Sequence, residues 1–99
     1  MPEIYAIDEI KNIAVPIARR YGVKKLALFG SYARGEQKAA SDIDFLIEKG
    51  DIQDLFALCG FINNLEDDLG IHVDVITYDS LKDSLIAHAI KDEVVLYER

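Results

Sequence analysis

The sequence predicts an α/β (α+β) fold in which helices pack on a mixed sheet of three to four strands. Short apolar runs bounded by glycine or charged residues alternate along the chain with segments whose apolar residues recur every three or four positions. Hydrophobic residues make up 51% of the 99 residues, which favours a folded chain over a disordered one. This length suits a single domain over residues 1–99, and the patterns predict the element order α-β-(α)-β-α-β-α-β.

The first predicted helix covers residues 7–21, where apolar side chains recur at helical spacing. Gly22 follows it and suits the left-handed residue that often ends a helix. Pro16 falls inside the pattern and removes one backbone hydrogen bond, so we expect either a kink there or two abutting helices.

Four short runs predict the strands. "KKLALFG" (residues 24–30) is an apolar run bounded by charge and glycine, and a short helical turn and a polar loop follow it. "DIDFLIE" (residues 42–48) and "HVDVITY" (residues 72–78) give the second and third strands. "EVVLY" (residues 93–97) is a last strand that could lie at the sheet edge or in a contact between copies of the chain, so a homo-oligomer stays open.

Two more helices are predicted from apolar stripes. The helix between the second and third strands begins near Asp51 and ends at Gly70. Its stripe comprises Ile52, Leu55, Phe56, Cys59, Ile62 and Leu69. Asp79 or Ser80 caps the last helix, whose stripe comprises Leu81, Leu85, Ile86, Ala89 and Ile90.

The connections between strands bring three aspartates together. Asp42 and Asp44 point to the same side because side chains alternate along a strand, and they lie about 6.5–7 Å apart. Residues 31–41 are too few for a parallel crossover, so the first two strands should be antiparallel, with Gly30 beside the aspartates. A helix joins the second and third strands, which favours a parallel pair and places Asp74 beside Asp44.

Three adjacent carboxylates repel one another unless a cation is present, and Mg²⁺ prefers such oxygen ligands. Two ions about 3.5–4 Å apart would suit in-line displacement at phosphorus. Gly30 permits close backbone approach, and Ser31 begins a helical turn whose N–H groups can bind phosphate oxygens. Arg34, with Lys38 as a second candidate, would neutralise phosphate charge. Each feature alone also fits solvated acids and an ordinary turn, but the combination predicts a metal–nucleotide site.

These residues carry a resemblance. "GSYARGEQKAASDID" resembles the pattern of the DNA polymerase β superfamily of nucleotidyltransferases, which is Gly-Ser, about ten residues, then Asp-x-Asp. With "LFGSYARG", "SDIDFLIE" and "VDVIT", the chain more closely resembles the minimal nucleotidyltransferase (MNT) group over nearly its whole length. The resemblance implies a polymerase β-like fold.

The resemblance also implies roles and partners. Asp42 and Asp44 would bind Mg²⁺, and Asp74 would be the third carboxylate, as ligand or as general base. Gly30 and Ser31 would bind the phosphates of ATP. The implied reaction moves AMP from ATP to a hydroxyl, and the implied partner is a HEPN-type toxin, a ribonuclease that some relatives neutralise by adding AMP to a tyrosine.

Two alternatives remain open from the sequence. The chain could neutralise a toxin merely by covering it, or it could modify a small molecule such as an aminoglycoside. The net charge of −7 argues against direct nucleic-acid binding and suits docking on a basic protein, although acidity can also serve solubility alone. No run approaches the length of a membrane span, so we expect a cytoplasmic protein.

Four other side chains have a plainer and a functional interpretation. His72 shares a face with Asp74 and could contact phosphate or metal, although a solvated strand-end histidine is the simpler interpretation. Tyr32 could stack near the nucleotide or pack in the core. Cys59 is predicted to pack in the core and, as the single cysteine, excludes an internal disulfide. His88 has no partner suggested by the sequence.

Overall fold

The structure, a computed structural model, describes residues 5–38, 42–80, 87 and 91–99. The predicted last helix, with its stripe and His88, lies outside the described residues. No helix in the described ranges has both the length and the apolar character needed to cross a bilayer. The helices and strands are α1 (Ile7–Tyr21), β1 (Lys25–Phe29), α2 (Gly30–Arg34), β2 (Ile43–Glu48), α3 (Leu55–Leu69), β3 (Val73–Thr77) and β4 (Val94–Glu98), with a 3₁₀ turn at Tyr78–Ser80.

The four strands form one mixed sheet in the order β3-β2-β1-β4. β1 is antiparallel to both β2 and β4, whereas β2 and β3 are parallel. The predicted mixed sheet is therefore confirmed, including the antiparallel first pair and the parallel second pair. β4 takes the edge beside β1, with a register shift between Leu26 and Ala27.

One face of the sheet carries the core. Leu28 on β1 and Phe45 on β2 are fully buried there, together with side chains of α1 and α3. Asp42, Asp44 and Asp74 belong to the opposite set of alternating positions, so the core faces away from them. The same alternation that fills the core with apolar side chains thus turns the acidic ones toward solvent.

α1 is one continuous helix that includes Pro16, so the expectation of two abutting helices is wrong. Pro16 lies on the exposed side of the helix, and the carbonyl that it leaves without a partner, that of exposed Asn12, can bond to water. Gly22 ends the helix with φ 74°, and its N–H donates to the carbonyls of Ala18 and Arg19, as expected for a left-handed cap.

α3 departs from its predicted stripe. It begins at Leu55, after Asp54, whose Oδ1 accepts a hydrogen bond from the N–H of Ala57 at 2.8 Å. Cys59 is exposed, so its predicted core position is wrong, and Phe56 is 92% exposed. The first two turns, "LFALCGF", are apolar on several sides, so spacing alone does not select the buried stripe. The residues buried from this helix are Phe61, Leu65 and Leu69.

This choice of face predicts opposite outcomes for two phenylalanines of α3. Phe61 is fully buried and lies edge-to-face with Tyr21 at 5.6 Å between ring centroids, so Phe61→Ala should lower the free energy of unfolding by about 3 kcal/mol or more. Phe56→Ala is the matched control and should change it by about 0.5 kcal/mol or less. Urea unfolding followed by circular dichroism measures both, and equal losses would contradict the assignment of the buried face.

Candidate functional site

The turn after β1 forms one wall of the site. β1 ends at Phe29, and Gly30 opens the five-residue helix α2 with φ 71°. A Cβ on Gly30 would lie 2.4 Å from Oδ2 of Asp44, so the carboxylate packs directly against the glycine. Ser31 follows at the start of α2, where a helix leaves its first N–H groups without intrahelical acceptors.

The predicted aspartates converge at this edge. In the sheet register Asp44 lies opposite Asp74 on β3 and opposite Phe29 on β1. Asp42 immediately precedes β2, and one oxygen each of Asp42 and Asp74 lies within 4.8 Å of the other and of a ring nitrogen of His72. Asp42 and Asp74 are exposed, whereas Asp44 is half-buried against the turn. The three side chains chosen from the sequence thus share one rim of the sheet.

The pKa of Asp44 reflects its burial and the two carboxylates beside it. Burial, the largest cause, and the neighbouring carboxylates of Asp74 and Asp42 together raise the pKa of this carboxyl from 3.8 to about 6. The Arg34 guanidinium acts against them and lowers the pKa. Among the described residues, Arg34 is the one whose charge lowers this pKa, so the negative charge around Asp44 is only partly balanced.

The raised pKa of Asp44 predicts how stability depends on pH. The folded protein keeps this proton up to about pH 6, whereas the unfolded chain releases it near 3.8. In this window the folded state binds more protons, so this group makes stability fall as the pH rises. In EDTA, Asp44→Asn should flatten the melting profile across the window and melt above the wild type at pH 7. Thermal melts at a series of pH values measure this. Asp67→Asn, an exposed control with the same charge change, should follow the wild-type profile.

Arg34 lies beside the site but is engaged elsewhere. Its Nε is 2.5 Å from Oε1 of Glu36, and its Nη1 is 3.9 Å from Oδ2 of Asp92. Because both pairs are largely exposed, they hold the guanidinium weakly. The side chain is thus near enough to influence Asp44 and free enough to turn toward an anion. Lys38 is exposed.

His72 is more involved than a solvated strand-end histidine. Its Nε2 lies 3.2 Å from Oδ1 of Asp74, and its Nδ1 lies 2.9 Å from Oε2 of Glu66. Burial alone would lower the pKa of the imidazole, but the charges of Asp42 and Asp74 outweigh that effect and raise it. Glu66 is not predictable from the sequence, because a glutamate within a helix gives no sign that it will reach across the turn at Gly70.

Tyr32 takes the plainer of its two interpretations. Its side chain is 1% exposed and packs in the core, and its hydroxyl accepts a long hydrogen bond of 3.5 Å from the N–H of Tyr5. It anchors α2 to the core rather than presenting its ring to a ligand.

The donors at this rim fit a divalent cation. Carboxylate oxygens are the ligands that hard divalent ions prefer. Asp42 and Asp74 bring one oxygen each within 4.8 Å of the other, and the absence of a side chain on Gly30 leaves room for Asp44, which interacts with both. A mixed sheet that brings Asp-x-Asp, a third aspartate and a glycine-serine turn to one edge defines a nucleotidyltransferase.

Comparison with known proteins gives the family. Residues 9–97 match the nucleotidyltransferase domain family, and the chain belongs to it. A Methanocaldococcus jannaschii protein provisionally named a protein adenylyltransferase is 47% identical over 88 residues, which are 85% of this chain and 95% of that protein. Protein adenylyltransferase MntA of Thermococcus cleftensis is 38% identical over 93 residues, 90% of this chain and 93% of that one.

Solved structures agree with this assignment. A toxin–antitoxin complex with AMP-PNP contains a chain that superposes with a TM-score of 0.77 at 25% identity, covering 90% of this chain and 73% of that one. A structure provisionally named a minimal nucleotidyltransferase superposes with a TM-score of 0.79 at 25% identity, covering 89% of this chain and 90% of that one. The resemblance to minimal nucleotidyltransferases that the sequence motifs indicate is confirmed.

Proposed function

We propose that this chain is a Mg²⁺-dependent protein adenylyltransferase that moves AMP from ATP to a tyrosine hydroxyl of a HEPN-type toxin and so acts as its antitoxin. The observation that carries the proposal is the convergence of Asp42, Asp44 and Asp74 beside Gly30. The name of the T. cleftensis relative supports protein adenylylation, and the solved toxin–antitoxin complex with AMP-PNP supports both the partner and the nucleotide. Residues 1–99 would act as one domain.

The proposed roles follow from position and chemistry. Asp42 and Asp44 would hold the metal, which neutralises charge on the triphosphate when bound. Gly30 and Ser31 would seat the phosphates against the backbone of the turn, and Arg34 would leave Glu36 to pair with a phosphate oxygen.

The reaction would join the tyrosine oxygen to the α-phosphorus as the bond from that phosphorus to the pyrophosphate oxygen breaks. The hydroxyl must lose its proton, and Asp74 would accept it or share in metal binding. Its exposure leaves this carboxylate reachable from outside, as a protein acceptor requires.

The test uses the chain and the purified product of the neighbouring reading frame, where we expect the HEPN-type partner to be encoded. With ATP labelled at the α-phosphate and Mg²⁺, we expect label on the partner, located on a tyrosine by mass spectrometry and abolished by EDTA. The net charge of −7 suits a masking antitoxin equally well, so the ribonuclease activity of the partner is measured with and without ATP. Neutralisation that needs no ATP and leaves the partner unlabelled would overturn the proposal in favour of masking.

A further inference from the structure

His72 is held between two carboxylates in a fixed orientation. Oε2 of Glu66 lies 2.9 Å from Nδ1 of His72 as an ion pair, and it accepts a hydrogen bond from the backbone N–H of Val73 at 3.0 Å. The hydrogen bond from Val73 places the glutamate beside the start of β3. The ring thus has Nδ1 directed toward Glu66 and Nε2 directed toward the acidic rim, 3.2 Å from Oδ1 of Asp74.

This placement of a carboxylate at Nδ1 resembles the one that proteins use to orient a metal-binding histidine. A ligating imidazole commonly donates its other ring N–H to a carboxylate, which fixes the tautomer and makes the free nitrogen more basic. Nε2 of His72 lies in the same cluster as the oxygens of Asp42 and Asp74, all within 4.8 Å of one another. Neighbouring ligands of an octahedral ion at about 2.1 Å lie about 3.0 Å apart, close to the separation of Nε2 from Asp74.

We infer that His72 is a metal ligand through Nε2, positioned by Glu66, and that the site therefore favours Mn²⁺ over Mg²⁺ more strongly than its aspartates alone would. The preference follows from ligand chemistry, because imidazole suits transition-metal ions whereas Mg²⁺ is bound through oxygen ligands. The inference rests on the proposed function for the presence of a metal at this rim, and it adds a nitrogen ligand and a metal preference to it.

The experiment measures metal binding to the purified chain without ATP or toxin. Electron paramagnetic resonance of added Mn²⁺ gives the free and bound metal, and electron spin-echo spectroscopy reports whether a ¹⁴N nucleus is coupled to the bound ion. We expect nitrogen coupling in the wild type and its loss in His72→Ala. Mn²⁺ affinity should fall about tenfold or more in His72→Ala and also in Glu66→Gln. Mg²⁺ affinity, measured by competition against Mn²⁺, should fall by a factor of about two or less in His72→Ala.

A matched control separates orientation from charge. Asp67→Asn removes one negative charge from the neighbouring exposed position of α3 and should leave Mn²⁺ affinity and nitrogen coupling unchanged. Absence of nitrogen coupling in the wild type would overturn the inference even if no variant were available in folded form. Mn²⁺ affinity unaltered in a folded His72→Ala variant would overturn it as well. Nitrogen coupling without AMP transfer would instead sustain this inference and count against the proposed function, so the two failures are distinguishable.

Discussion

Replacing Asp44 with asparagine should reduce the rate of AMP transfer by about a thousandfold or more. Asp44 packs against Gly30 and lies between Phe29 and Asp74 in the sheet. Another side chain therefore has no space to take over its position. If Asp44 holds the metal as proposed, its loss removes several kcal/mol of transition-state stabilisation, and each 1.4 kcal/mol corresponds to about a tenfold change in rate. The initial rate of label transfer to the partner at saturating ATP measures the effect.

Unfolding cannot account for such a loss if Asp44→Asn is, as predicted above, the more stable protein at pH 7. The control is Asp79→Asn, which makes the same chemical change at the far end of β3, where Asp79 is paired with Lys49 at 3.4 Å. This exposed pair should contribute little, and the variant should transfer AMP at close to the wild-type rate. A rate for Asp44→Asn within tenfold of the wild type would remove this residue from the proposed metal site.

Gly30→Ala should reduce AMP transfer by about a hundredfold or more and lower the free energy of unfolding by about 1–2 kcal/mol. The substitution has two effects. Alanine is strained at the φ of 71° that Gly30 adopts, and its Cβ would lie 2.4 Å from Oδ2 of Asp44. The carboxylate must move, and displacement by about 1 Å is enough for a large loss of rate. Transfer rate and urea unfolding of the same preparation separate the two effects.

Gly35 provides the matched control at the other end of α2. Its φ is 72°, almost the same as that of Gly30, but a Cβ there would meet nothing within 4 Å. Gly35→Ala should therefore have a similar effect on stability and leave the transfer rate largely intact. Equal losses of rate in the two variants would show that backbone strain, and not contact with Asp44, explains the requirement for glycine.

The sheet was predictable because short connections leave few choices. Residues 31–41 are too few for a crossover, and the helix between β2 and β3 favours a parallel pair. The positions of Gly30, Asp44 and Asp74 follow from these two connections and from the alternation of side chains along a strand. The family resemblance independently gave the same three positions. Local spacing and the lengths of connections can be read from the sequence, so the parts of the site that depend only on them could be predicted.

Contacts that depend on packing were not predictable. Phe56 and Phe61 are both apolar residues of one helix, and only the position of α1 and the sheet decides which is buried. Glu66 reaches His72 because α3 ends close to β3, which a glutamate at that position does not reveal. The first depends on how separate elements pack and the second on the shape of the turn between α3 and β3, and periodicity carries no information about either.

Because Tyr32 anchors α2 in the core, the proposed activity should depend directly on the stability of the fold. Five residues are too few to form a stable helix in water, so packing of the buried Tyr32 ring and of Ala33 against the core supports the turn that would seat the phosphates. Heat or denaturant that loosens the core would release Tyr32 and disorder the proposed phosphate-binding turn in the same event. Activity and folded structure should therefore be lost at the same temperature or denaturant concentration, with no range in which the protein is folded but inactive.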